Sequence, residues 1–226
     1  QLYEKAPQFQ DDTYYLAAIA HVAKNLSEVD LVHHVVNHWR KIEPGYSGCR
    51  ERGRFFTEWG WQARGSGWAH QVSDEGWALF AERLQLAKEE VEKGIELNPL
   101  GWEAHAELIR VAMGLQLGSE YVDEHFDQAI KIRPRDRADY DFMFQTLRFR
   151  WGGQSGDLLA FADLCIRTGF WAEGIPETGR RVFDELDSSV GSVADRQELY
   201  DTPEVWDICL AYGEGARTAS DEDFAD

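Results

Sequence analysis

Three times in this chain an amphipathic stretch runs into a proline and a second one begins beyond it: Lys41-Ile42-Glu43-Pro44, Glu96-Leu97-Asn98-Pro99 and Lys131-Ile132-Arg133-Pro134. Proline lacks the amide that would continue a helix and disfavours the helical conformation one residue earlier, so each is a stop and a turn. The last two prolines stand 35 residues apart, the length of one helical hairpin. Caps and apolar spacing place the helices between these stops. Residues 12–24 put Tyr15, Leu16, Ile19, Val22 and Ala23 on one face, and Ser27 with Asp30 opens a second helix to Ile42. A third is expected over 47–64, closed by Gly65 and Gly67. Ser73 caps a long helix whose stripe is Trp77, Phe80, Leu84, Ala87, Val91 and Ile95. Further helices are expected over 101–117, 119–132, 135–150, 157–168, 176–186 and 202–213, the last with Pro203 after the Thr202 cap. No run of strands emerges. The expected fold is all-α, stacked antiparallel helical hairpins in one body over 1–217, with an acidic tail over 218–226 that frays.

Phe126, Ala129 and Pro134 stand at the separations of the F, A and P positions of a tetratricopeptide second helix, and the chain resembles that class over about half its length. The match is degenerate. Val91 and Gly94 occupy the equivalent positions before Pro99, Trp39 sits where a small residue is usual, and Ile109 and Ala112 replace the glycine and tyrosine of the first helix. Roughly residues 50 to 170 also resemble a bacterial family of tetratricopeptide-like proteins described as a domain of unknown function. The likeness lies in Arg64-Gly65-Ser66-Gly67-Trp68-Ala69, Glu75-Gly76-Trp77, and Trp151-Gly152-Gly153 followed by Leu158-Leu159-Ala160-Phe161-Ala162. The resemblance implies a helical fold and supplies no activity.

A formal charge of −18 opposes binding to nucleic acid or anionic lipid, both of which need a basic surface, so the expected partner is a protein or peptide. The 43% hydrophobic share is too high for a disordered chain. No apolar run reaches the roughly 18 residues of a membrane span, so no membrane insertion is expected. Cys49, Cys165 and Cys209 are odd in number and far apart, which fits reduced thiols and a cytoplasmic setting; the start at Gln1 leaves a removed leader open.

The basic residues are unevenly placed. Segments 40–64 and 131–150 hold twelve of the 23 lysines and arginines against six carboxylates, a net +6, while the rest of the chain nets −24. First helices of repeat hairpins line the concave groove, so Arg50, Arg54, Arg64, Arg135 and Arg137 are candidates to receive an acidic peptide, a C-terminal carboxylate or a phosphorylated segment. The alternative is that these arginines pair with the chain's own carboxylates. Phe55, Phe56, Trp59, Trp61, Trp68 and Trp77, with Gly60, Gly65 and Gly67, form either a pocket-like insertion or the filling of an irregular junction. Trp59, Trp61 and Trp68 join the candidate partner residues on the first view.

Chemistry-bearing motifs are thin. His34 and His38 share a helix face without the glutamate of a metalloprotease motif, and Asp123-Glu124-His125 with Asp127 reads as a solvated face, so neither metal nor cofactor is expected. The turn Trp151 to Gly156 lacks the lysine of a phosphate loop, and Cys49 has no histidine near it in sequence. The function expected is a non-enzymatic protein-interaction scaffold. Two alternatives stand beside it: a ligand-binding protein or enzyme using 55–77 as its pocket, and an acidic immunity-type partner that neutralises a basic toxin.

Overall fold

Each proline stop ends a helix. A computed structural model describes residues 18–22 and 29–223, and among these all regular secondary structure is helical. The helices are α1 (Val29–Ile42), α2 (Tyr46–Arg64), α3 (Asp74–Leu97), α4 (Trp102–Leu115), α5 (Ser119–Ile132), α6 (Arg137–Leu147), α7 (Ser155–Arg167), α8 (Ile175–Ser189), α9 (Val193–Tyr200) and α10 (Pro203–Asp223). Most of the helix expected over 12–24, and the Ser27 cap, lie outside the described residues. No described helix is long and apolar enough to cross a membrane.

The α2–α3 hairpin is built on small residues. A Cβ added at Gly53 would lie 2.2 Å from a Val91 methyl, at Gly60 3.2 Å from Leu84, and at Gly94 3.4 Å from Cys49. Ascending positions of α2 thus meet descending positions of α3, so the two run antiparallel in close contact. The turn between them carries Gly65 at φ 69° and a short 3-10 helix over Ala69–Gln71. Ser73 then caps α3, its Oγ accepting the Gly76 amide at 3.1 Å. Helix α4 packs on α3, and α5 returns along α4 through a link in which Gln116 and Gly118 are left-handed. Trp39, Phe55, Phe56, Phe80, Leu84, Val91 and Leu108 are buried in one cluster.

The chain divides into two compact units, the first ending at Ile132 and the second beginning at Arg133, in place of the single body expected over 1–217. In the second unit α7 and α8 form the tightest pair, with Gly179 against the Ala162 carbonyl and Cys165. Helix α6 packs on α7 and α8, and α10 packs on α7. The core here is Tyr140, Phe144, Leu158, Phe161, Ile175, Val182, Leu186, Val205 and Ile208. Two expectations change in this unit. Residues 218–223 continue α10 where fraying was expected. Helix α9 has no counterpart among the expected helices: it buries no residue, and Ser192 starts it by capping the Asp195 amide at 3.1 Å.

Candidate functional site

The aromatic and arginine-rich stretch of α2 points mainly inward. Arg52 is 0% exposed. Its Nε donates to Glu90 Oε2 at 2.9 Å, one terminal nitrogen donates to the Glu43 carbonyl at 2.7 Å, and the other lies 3.3 Å from Cys49 Sγ. The second oxygen of Glu90 accepts from Arg40 Nε, and Trp39 lies under the Arg52 guanidinium at 5.9 Å. A desolvated carboxylate is therefore shared by two arginines. Burial pushes the Cys49 thiol up, which keeps it protonated and a poor nucleophile.

Of the candidate partner residues in this unit, Trp59 and Arg64 are internal at 5% and 6% exposure, which removes them from any contact surface. Trp59 lies beneath the Arg83 guanidinium at 3.7 Å, and its carbonyl accepts from that side chain at 3.0 Å. Arg64 sits between the Trp61 and Trp77 rings and donates to the Gly65 and Gly67 carbonyls, both at 3.1 Å. Trp61 is half-buried with its ring edge on Phe80 at 4.8 Å. The rings thus fill the junction between α2 and α3. Arg50 pairs with Glu51 and Glu103, Arg54 with Glu58, and Trp68 is 62% exposed at the turn.

The histidines divide. His33 and His34 are exposed on α1, and among the described residues no group of three or more His, Cys, Asp or Glu side chains could hold a metal ion. His125, expected on a solvated face, instead turns in from α5 onto His105 of α4, with 3.0 Å between their Nδ1 atoms. His105 Nε2 lies 3.3 Å from the Pro99 carbonyl. That carbonyl assigns the His105 proton to Nε2, so His105 Nδ1 accepts from His125 Nδ1–H. Tyr121 packs edge-on against His125 at 4.5 Å and donates to Glu92, which also takes Lys88. Burial, and then the neighbouring His105, hold His125 below the ordinary histidine value; Lys88 acts the same way, while Glu124 and Glu92 oppose it.

A depressed folded value means the unfolded chain binds the proton more readily. The stability contributed by neutral His125 is complete above about pH 6.5 and is lost as pH falls below it. Urea unfolding at pH 7.5 and 5.5 should show the first unit weakening at the lower pH, with His125→Asn flattening the difference. An unchanged pH slope in that variant would refute the assignment.

The second basic segment is also internally neutralised. Arg135 pairs with Glu173 at 2.9 Å, and Arg137 and Arg181 converge on Asp141 at 3.4 and 2.7 Å. Arg148 Nε donates to Glu185 at 2.8 Å, and the other oxygen of Glu185 accepts the Phe149 amide at 3.2 Å. Arg135 and Arg137 retain exposure, but each faces a carboxylate. Segment 40–64 lies in the first unit and residues 133–150 of the other segment in the second, and within each unit most of these arginines meet a carboxylate.

What the charge map did not single out is the outer face of α7 and α10. Ala160, Asp163 and Arg167 of α7, with Glu204, Asp207 and Ile208 of α10, line an open cavity of about 360 Å³. Leu164 on α7 is 42% exposed, and Trp206 and Leu210, one turn apart on α10, are 59% and 47% exposed. Val205 and Ile208 bury the opposite side of the same helix. An amphipathic helix normally turns its large apolar residues inward, and α10 carries such residues on both sides. That two-sidedness is the signal available in the sequence. No protein-family model, curated protein or solved structure matches the chain.

Proposed function

We propose that this chain is a non-enzymatic protein-interaction scaffold whose contact surface is the outer side of α10 at Trp206 and Leu210, its helices a degenerate tetratricopeptide-like stack. The antiparallel pairing of α2 with α3 supports the stack, as do the short links within α4–α5 and α7–α8. The observation that carries the functional reading is the exposure of Trp206 and Leu210, one turn apart on the outer side of α10. Exposed large apolar side chains that cluster, in place of being scattered, mark association surfaces, and tryptophan is the side chain most often found at their energetic centres. The arginines of the basic segments support the reading less, because their carboxylate partners lie within the same unit.

Trp206→Ala with Leu210→Ala should leave folding stability within about 0.5 kcal/mol, since neither side chain is part of the core. It should cost about 2 kcal/mol or more in partner affinity, roughly thirtyfold. Affinity capture from cells that make the protein, compared for wild type, this variant and an Arg54→Glu/Arg135→Glu variant, separates the two surfaces. Loss with the arginine variant and retention with the tryptophan variant would sink the proposal.

A further inference from the structure

We propose that the His105–His125 pair is an acid-sensitive latch: once both rings are protonated, α5 separates from α4 while the α2–α3 hairpin stays folded. The two Nδ1 atoms stand 3.0 Å apart, so the contact needs a lone pair on one of them. His105 cannot turn to present another nitrogen, because its Nε2–H is held on the Pro99 carbonyl at 3.3 Å and the residue is only 5% exposed. A first proton is tolerated. Placed on His125 Nε2, it leaves the Nδ1–H still donating to His105. A second, on His105 Nδ1, sets two N–H groups and two positive charges face to face, and the rings must part.

The groups around the pair do not cancel that repulsion. Helix α3 brings Glu92 and Lys88 to it, and Glu92 already accepts from Tyr121 and pairs with Lys88. Helix α5 itself adds Tyr121 and Glu124, and α4 contributes His105. Glu92 and Glu124 favour the charged form of His125, but burial together with His105 outweighs them. Helix α5 is also the element that can leave. It has 14 residues, buries Val122, Phe126 and Ala129, and packs on α4. A helix of that length is marginal by itself in water, so it depends on this seam. Helices α2 and α3 carry no histidine and share the core of Phe55, Phe56, Phe80, Leu84 and Val91. Elements held so differently open separately. Release uncovers Val122, Phe126 and Ala129, an apolar stripe at i, i+4 and i+7, on the helix that ends the first unit at Ile132.

Hydrogen exchange of the whole protein at pH 7.5 and 5.0, read by mass spectrometry with labelling times scaled to the intrinsic amide rate, tests the latch. At pH 5.0 the amides of residues 122–131 should lose protection by about tenfold or more, and those of α2 and α3 should still exchange about tenfold more slowly than they do. His125→Asn and His105→Asn each leave one ring to titrate, so each should keep α5 protected at pH 5.0. In wild type the midpoint of release should coincide with the titration of the two imidazoles followed by nitrogen NMR, which decides the matter where a variant fails to hold α5 at pH 7.5. A midpoint near pH 4, in the carboxylate range, would overturn the latch. So would an α5 that stays as protected as α2 and α3 until the whole unit unfolds, or a loss at pH 5.0 that persists in a variant whose α5 is protected at pH 7.5.

Discussion

Glu90→Ala should destabilise the first unit by about 3–5 kcal/mol, because it leaves the fully buried Arg52 guanidinium without its counter-charge. The size follows from desolvation. Arg52 keeps its bond to the Glu43 carbonyl, but a dipole does not replace a carboxylate, and Arg40 loses the same partner while remaining 38% exposed and able to hydrate. Arg52→Met combined with Glu90→Leu should recover most of the loss, since replacing both charges removes the desolvation penalty along with the attraction. Urea unfolding of the two variants beside wild type reads the effect. A single-variant loss below about 1 kcal/mol would place the group in the range of solvated surface pairs and refute its burial as a unit.

A second large loss is expected from Gly153→Ala, about 3 kcal/mol or more. A Cβ there would stand 1.7 Å from the Leu147 carbonyl oxygen and 2.4 Å from its carbon, and both are backbone atoms at the end of α6. No side-chain rotation relieves such a contact. The chain must open the turn in which the amides of Trp151 and Gly153 both donate to the Arg148 carbonyl. Gly156 provides the internal comparison three residues on. It lies in the first turn of α7, where an added Cβ would meet nothing within 4 Å, so Gly156→Ala should stabilise by about 0.4–1 kcal/mol. Equal effects at the two positions would contradict this account of the turn.

Helix positions were legible wherever a local signal existed. The prolines at 44, 99 and 134, the Ser73 cap and the stripe from Trp77 to Ile95 act within a few residues, and they placed α2, α3 and α5 to within about two residues at each end. Helix α9 escaped because it has no apolar stripe. A serine cap and the Tyr200 hydroxyl on Asp187 at 3.1 Å hold it, and neither produces a period.

The side chains were harder to read than the backbone. Charge counting treats every arginine as a surface group, yet Arg52 and Arg64 are internal because Glu90 and the Gly65 and Gly67 carbonyls reach them from positions that sequence spacing does not relate to function. His125 sits among Asp123, Glu124 and Asp127, so local composition suggested solvent; the residue that turns it inward is His105, on another helix. Trp206 and Leu210 stand exposed because Val205 and Ile208 bury the other side of α10.

Site-specific photo-crosslinking inside cells that make the protein tests the location of the partner most directly. A benzophenone side chain is placed at Leu210 in one preparation and at Trp68, the exposed tryptophan of the first unit, in another. A discrete heterologous adduct from position 210, displaced by excess unlabelled protein, with none from position 68, is the predicted result. An adduct from position 68 and none from position 210 would contradict it and return attention to the aromatic turn.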